Sequence, residues 1–229
     1  MDNISKVKSI SIWIFIVPFL AINTCLILIT NFHGIFPNQE DILHNTIPYI
    51  DGGASISRTA RVFPTYLIFK PAMFITSFLL IKYWLTNKKI ILEQDNTNKY
   101  VNKFVFFGVG SAILLVIHSI FLGVKFDFDL YKLFRRIIMV LFIIFEIVAQ
   151  AYLVLSLYKI RKLISNYINS FYLKFKICLV FLLILVAIIS IPIISVPGNK
   201  FLKHALEWDY FVGVISFYLL TFMMWKKRN

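Results

Sequence analysis

The sequence is short of nearly everything a water-soluble domain uses. Only 15% of its 229 residues are charged, acids number 11 against 24 Lys and Arg, and there are 8 glycines, 7 prolines and 2 cysteines. With 59% hydrophobic residues and a mean hydropathy of +0.80, a single core of this size cannot hide the apolar surface, so part of it must face hydrocarbon. No Gly-, Pro- or Ser-rich stretch separates the apolar runs, which excludes a flexible linker and predicts one domain. Cys25 and Cys178 both fall inside apolar runs without ligand spacing, so neither a disulfide framework nor a zinc site is expected and both are read as packing residues. His33, His44, His118 and His204 show no metal-ligand spacing either. There is no Gly-x-Ser-x-Gly elbow, His-Glu-x-x-His, phosphate loop or usable Gly-x-Gly-x-x-Gly, so no metal and no cofactor is expected. No internal repeat supports an inverted-repeat transporter.

What is present is long apolar stretches, at 10–30, 63–85, 104–124, 137–157, 177–196 and 208–225. Each is close to the roughly 20 residues a helix needs to cross about 30 Å of hydrocarbon. None has the period of two that a membrane barrel requires. The predicted fold is therefore all-α, a single bundle of six transmembrane helices, with the first stretch retained and not cleaved as a leader.

The basic residues divide by side. One side gathers Lys6, Lys8, Lys82, Lys88, Lys89, Lys99, Lys103, Lys159, Arg161, Lys162, Lys174, Lys176, Lys226, Lys227 and Arg228, against Asp2, Glu93 and Asp95. On the other, Arg58, Arg61, Lys125, Lys132, Arg135, Arg136, Lys200 and Lys203 are nearly balanced by Glu40, Asp41, Asp51, Asp127, Asp129, Glu207 and Asp209. Retention of positive loops places the first side and both termini in the cytoplasm. The same bias accounts for most of the net charge of +13, so no nucleic-acid partner is expected. The Ile, Lys, Asn and Phe bias points to an AT-rich genome; for a bacterial chain, the membrane is the plasma (inner) membrane and the long first loop, 31–62, is extracytoplasmic. That loop carries a short predicted helix around Glu40 to His44 and the turn chemistry of Asp51-Gly52-Gly53, and it is the first place to look for function.

Ionisable groups inside spans are costly and mark function by default. Lys70 and His118 fall about two turns, and Glu146 about three turns, from the external ends of their spans. Glu146 shares a helix face with Gln150, and Ser111 with His118. Lys70 precedes Pro71, which predicts a kink. A deep carboxyl is neutral or paired, so Glu146 is expected to pair with Lys70 or His118. The plainer alternatives are a snorkelling Lys70 and a packing His118. Outside, Arg58, Arg61, Arg135, Arg136, Lys200 and Lys203 border the headgroup region in a pattern suited to phosphate; the rival reading neutralises them with Asp51, Asp127, Asp129, Glu207 and Asp209.

Two stretches carry a family resemblance. Pro48-Tyr49-Ile50-Asp51-Gly52-Gly53 resembles the Pro-x-Ile-Ser-Asp-x-Gly segment of the DRAM (damage-regulated autophagy modulator) proteins, and Glu207-Trp208 with Leu220-Thr221-Phe222 is similar to the ends of their sixth helix. The resemblance implies a six-helix membrane protein connected with lipid handling, in the superfamily that includes GPI-anchor lipid remodelling proteins, with Asp51, Gly52 and Glu207 as shared positions.

Three functions follow as expectations. The first is lipid binding, or accessory work in lipid handling, through an outer-leaflet polar pocket lidded by the first loop and built from Asp51, Gly52, Arg58, Arg61, Lys70, His118, Arg135, Arg136, Glu146, Gln150 and Glu207, with membrane lipid as partner. The second is an intramembrane enzyme acting on lipid, Glu146 and His118 serving as acid and base near Asp51. The third is a small transporter whose path is marked by Lys70 and Glu146.

Overall fold

The computed structural model describes residues 2–124, 128–196 and 198–226, without the side chains of Asp2 and of residues 193–195. The readings placed on Lys125, Asp127, Lys227 and Arg228 lie outside the described residues. In chain order the helices are α1 (Asp2–Asn31), α2 (Pro48–Asp51), α3 (Ile56–Ala60), α4 (Tyr66–Gln94), α5 (Val101–Phe121), α6 (Asp129–Ile160), α7 (Ser170–Ser195) and α8 (Lys200–Met224). Among the described residues β pairing is limited to one isolated bridge, Ile168 with Trp225. Six helices, α1 and α4 to α8, are long and apolar enough to cross a membrane. The chain is thus an all-helical, multi-pass membrane protein, as the apolar stretches predict.

Several helices outrun their apolar windows. Hydropathy sees only the part in contact with acyl chains, whereas a helix continues as long as one face stays packed. On α4 the buried face runs on through Asn87, Ile90 and Ile91, past the predicted end at Leu85. α6 starts at Asp129 and is 32 residues long, about 48 Å against about 30 Å of hydrocarbon. The largest correction is in α7. Asn169 caps it by accepting a hydrogen bond from the Phe171 N–H, so the helix begins at Ser170, and Lys176 is a fully buried helical residue instead of a loop cation. One smaller expectation also changes. The loop helix shrinks to a single 3₁₀ turn at Gln39–Asp41, and α4 continues past Pro71, which withholds the i to i−4 hydrogen bond from the Leu67 carbonyl.

Each long helix packs on the next, and α8 closes the circuit against α1. The core is aromatic: Tyr83, Trp84, Phe104, Trp208, Phe217 and Tyr218 are all fully buried. α5 approaches α4 so closely at Gly108 that an added Cβ would lie 2.3 Å from the Trp84 ring. Cys25 is a packing residue in that core, its thiol 3.4 Å from the Thr65 carbonyl. Cys178 is not: it is exposed on the outer side of α7, because only a narrow stripe of that helix faces the bundle.

The end of the bundle that holds both termini is laced by backbone. The Asn169 N–H donates to Met224 at 2.8 Å, the Lys226 N–H to Tyr167 at 2.9 Å, and Lys8 Nζ to the Trp225 carbonyl at 2.6 Å. We call this the termini end. The opposite, loop end carries the segment from α1 to α4.

Candidate functional site

At the loop end, the first loop is folded onto the start of α8. Gly52 caps α2 in the left-handed region at φ 61°, and an added Cβ would sit 1.7 Å from the Phe201 carbonyl oxygen. Conformation and space both require glycine there. One turn along α8, His204 Nδ1 meets the Gly52 carbonyl at 2.9 Å; the next turn brings Trp208 Nε1, which donates to the Ala54 carbonyl at 2.8 Å. Tyr49 packs edge-on against Trp208 and donates to Asn23 Oδ1 of α1 at 3.0 Å. Glu207 faces the backbone N–H groups of Ile56 and Ser57 at the start of α3, and its buried Oε1 has no hydrogen-bond partner among the described residues. The two stretches that carry the family resemblance therefore touch each other.

Asp51 serves this loop internally. Its carboxyl accepts from Thr46 Oγ1 at 2.8 Å, the Gly53 N–H at 2.8 Å and the Ile47 N–H at 2.7 Å. Slight desolvation pushes the carboxyl up, but these donors outweigh it and hold Asp51 below the usual carboxylate range.

The remaining basic candidates do not converge on Glu146. Lys70 Nζ donates to the Ile120 carbonyl at 3.3 Å and stands 5.7 Å from the Tyr66 ring, on the shoulder between α4 and α5. His118 lies in the last turn of α5 within electrostatic reach of Arg135, Arg135 sits over Tyr131 at 5.9 Å, and Arg136 is exposed in the second turn of α6. The Arg61 carbonyl approaches Gly123 just beyond α5, and Arg58 belongs to α3. Of the acids offered as neutralisers, Asp129 pairs with Lys132 at 3.0 Å and Asp51 with loop donors. The expected pairing of Glu146 with Lys70 or His118 does not occur: Lys70 is engaged with the Ile120 carbonyl, His118 is near the loop-end finish of α5, and the partners of Glu146 are Ser111, Gln150 and Tyr218.

The centre holds the arrangement of most chemical interest. Glu146 on α6 is 1% exposed and is met by donors from three helices: Ser111 Oγ at 2.6 Å from Oε2, Gln150 Nε2 at 3.1 Å from Oε1, and the Tyr218 hydroxyl, also on Oε1. Gln150 further donates to the Val214 carbonyl at 3.3 Å, fixing α6 to α8. Toward the termini end, Lys176 is 0% exposed and donates to Thr221 Oγ1 at 2.5 Å, with Tyr83 Oη at 3.5 Å and the Phe217 ring 3.9 Å away. The Thr221 hydroxyl donates back to the Phe217 carbonyl at 2.9 Å, leaving its oxygen to accept from Lys176 and from Tyr83 at 3.0 Å. Tyr83 and Tyr218 meet edge to face with centroids 4.9 Å apart, joining the two groups by ring contact.

Among the described residues, neither Glu146 nor Lys176 makes an ion pair. A lone buried charge costs several kcal/mol, so the two low-energy forms of this core share one proton: an ionised pair separated by hydroxyls, or a neutral acid with a neutral amine. Spare hydrogen-bonding capacity lies beside them and on toward the termini end. Gln150 Oε1, Trp84 Nε1, Asn87 Oδ1, Asn98 Nδ2 and Trp225 Nε1 are all buried without a partner among the described residues. All five lie level with Glu146 or nearer the termini end, whereas the sequence reading looked to the loop end.

Lys176 escaped the sequence reading, although a signal existed. Leu173, Lys176, Val180 and Leu183 fall at helical spacing on one face and are all buried. Tyr83 and Tyr218 carry no such signal, because a tyrosine in an apolar run reads as packing, and Thr221 enters the sequence analysis only within the stretch that carries the family resemblance.

No family model, curated protein or solved structure matches the chain.

Proposed function

We propose that this six-helix membrane protein moves protons within its bundle, as a proton-coupled carrier whose termini face the cytoplasm. The observation behind this reading is two buried ionisable groups without a salt bridge, Glu146 bonded by Tyr218 and Lys176 bonded to Thr221 beside Tyr83, whose two clusters adjoin at the Tyr83–Tyr218 ring contact, where a water would have to complete the proton's path. Such groups are retained in membrane helices chiefly where charge or protons must pass. In this scheme Glu146 is the inner proton site, Lys176 the station nearer the termini end, and the unpartnered polar atoms line the route. The test is reconstitution into liposomes enclosing a pH-sensitive dye, with a pH gradient imposed. Wild type should carry protons above the empty-liposome rate, and E146Q and K176M should each lose most of that flux. Flux equal in all three proteins, or none in a correctly folded wild type, refutes the proposal.

A second reading keeps the connection with lipid handling that the DRAM-like resemblance implies. It is favoured by the meeting of Gly52 and Ala54 with His204 and Trp208, beside Asp51, Glu207 and Arg58, at the loop end. It expects an anionic lipid to copurify with the protein and to be lost in the R58A and R135A/R136A variants. Extraction with mass spectrometry that finds no lipid, or the same lipid in every variant, removes this reading.

A further inference from the structure

On the side of α6 turned away from Glu146, α6 and α7 separate. Ile144, Ile147, Val148, Ala151, Tyr152 and Leu155 of α6 face Ile184, Ala187 and Ile188 of α7 across an open apolar groove of about 360 Å³. Its volume falls in the range of small-molecule sites, about 300–1,000 Å³. The α6 wall from Ile144 to Leu155 is about 16 Å long, roughly half the hydrocarbon thickness. The groove therefore has the depth of one leaflet.

One end of the groove is marked by charge. Tyr152, part of the wall, carries Lys103 Nζ 5.3 Å from its ring centroid, and Tyr100 stacks on it at 6.0 Å. Lys99 lies 5.3 Å from the Tyr100 ring. Both lysines are exposed and stand at or just before the start of α5, at the level where tyrosines mark a membrane interface. A hydrocarbon slot opening beneath two ammonium groups is complementary to one molecular class, a phospholipid with an anionic headgroup.

We infer that the α6–α7 groove binds one acyl chain of an anionic phospholipid from the termini-side leaflet, with Lys99 and Lys103 holding its headgroup beside Tyr100 and Tyr152. This site is separate from the Glu146–Lys176 core and stands whether or not that core moves protons. It also lies in the opposite leaflet from the pocket expected on the loop-end arginines.

The test uses the full chain in nanodiscs of neutral phosphatidylcholine, doped with a photoactivatable phosphatidylglycerol or, separately, the matching phosphatidylcholine probe. Crosslinked peptides are then mapped by mass spectrometry. The phosphatidylglycerol probe should label the segments 144–155 and 184–188 above the neutral probe, by about fivefold for each lysine engaged. K103Q should lower that preference by about fivefold, and A151W, which fills the groove, should abolish labelling by both probes. K103Q changes an exposed side chain, so its result does not depend on A151W folding. Equal labelling by the two probes, labelling untouched by K103Q, or crosslinks from this groove to a second copy of the chain would each overturn the inference.

Discussion

The loop end and the centre of this molecule treat their polar residues in opposite ways. At the loop end, carboxylate, imidazole and indole are engaged with nearby backbone: Asp51 binds two N–H groups of its own loop, while His204 and Trp208 reach the Gly52 and Ala54 carbonyls. These contacts lock a loop to a helix. In the centre, Glu146 and Lys176 are surrounded by hydroxyls and aromatic rings from α4, α5 and α8, with the partnerless atoms of Gln150 and Trp84 close by. The contrast is one of partners: backbone groups that hold a loop in place, with Glu207 Oε1 the one buried atom left over there among the described residues, against side chains from several helices beside most of the unpartnered buried atoms, where polarity is available for chemistry.

Breaking the centre should have the largest effect. Replacing Lys176 with Met or Glu146 with Leu leaves the other group buried alone and should cost about 3–5 kcal/mol, read as thermal unfolding in detergent or nanodiscs. The double variant should cost clearly less than the sum of the two, because the surviving charge is then gone. Additive losses would mean that the two sites are energetically independent.

Next comes Gly52→Ala, where a methyl would collide with the Phe201 backbone at a positive φ. A loss of about 1–3 kcal/mol is expected, with the first loop becoming sensitive to protease. An undisturbed loop would show that the docking at Phe201 is not tight. Trp208→Phe keeps the ring but removes its donor to Ala54, and should cost about 1 kcal/mol by the same unfolding assay.

The smallest effect sharpens the loop end alone. Asp51 has a folded-state pKa below its unfolded value, so its contribution is fully present above the ordinary carboxylate range and is lost as pH falls through the depressed folded value. Limited proteolysis of the loop should therefore speed up in acid in wild type and be independent of pH over that range in D51N. An acid response unchanged in D51N would assign it to another group.

Much of the architecture was legible in the residues. Six apolar runs gave six crossing helices because lipid imposes one requirement, length, that is written locally in the chain. Glu146 and Gln150 were legible as a polar face for the same kind of reason, since residues four apart on a helix share a side. Their partners were not. Ser111 and Tyr218 reach Glu146 from helices distant in sequence, and Lys176 resembled a boundary cation because it directly precedes an apolar run. Arg135 and Arg136 were correctly assigned to the loop end but not to α6, whose extra turns lie beyond the hydrocarbon where hydropathy gives no signal.

The sequence by itself determined that this is a bundle of six membrane helices with one long loop, since the solvent preference of each segment is a property of that segment alone. Only the tertiary structure decided which ionisable groups share an interior. That depends on how each helix is rotated about its axis, and rotation is set by the packing of side chains such as Gly108 against Trp84 and Tyr83 against Tyr218, which no single segment contains.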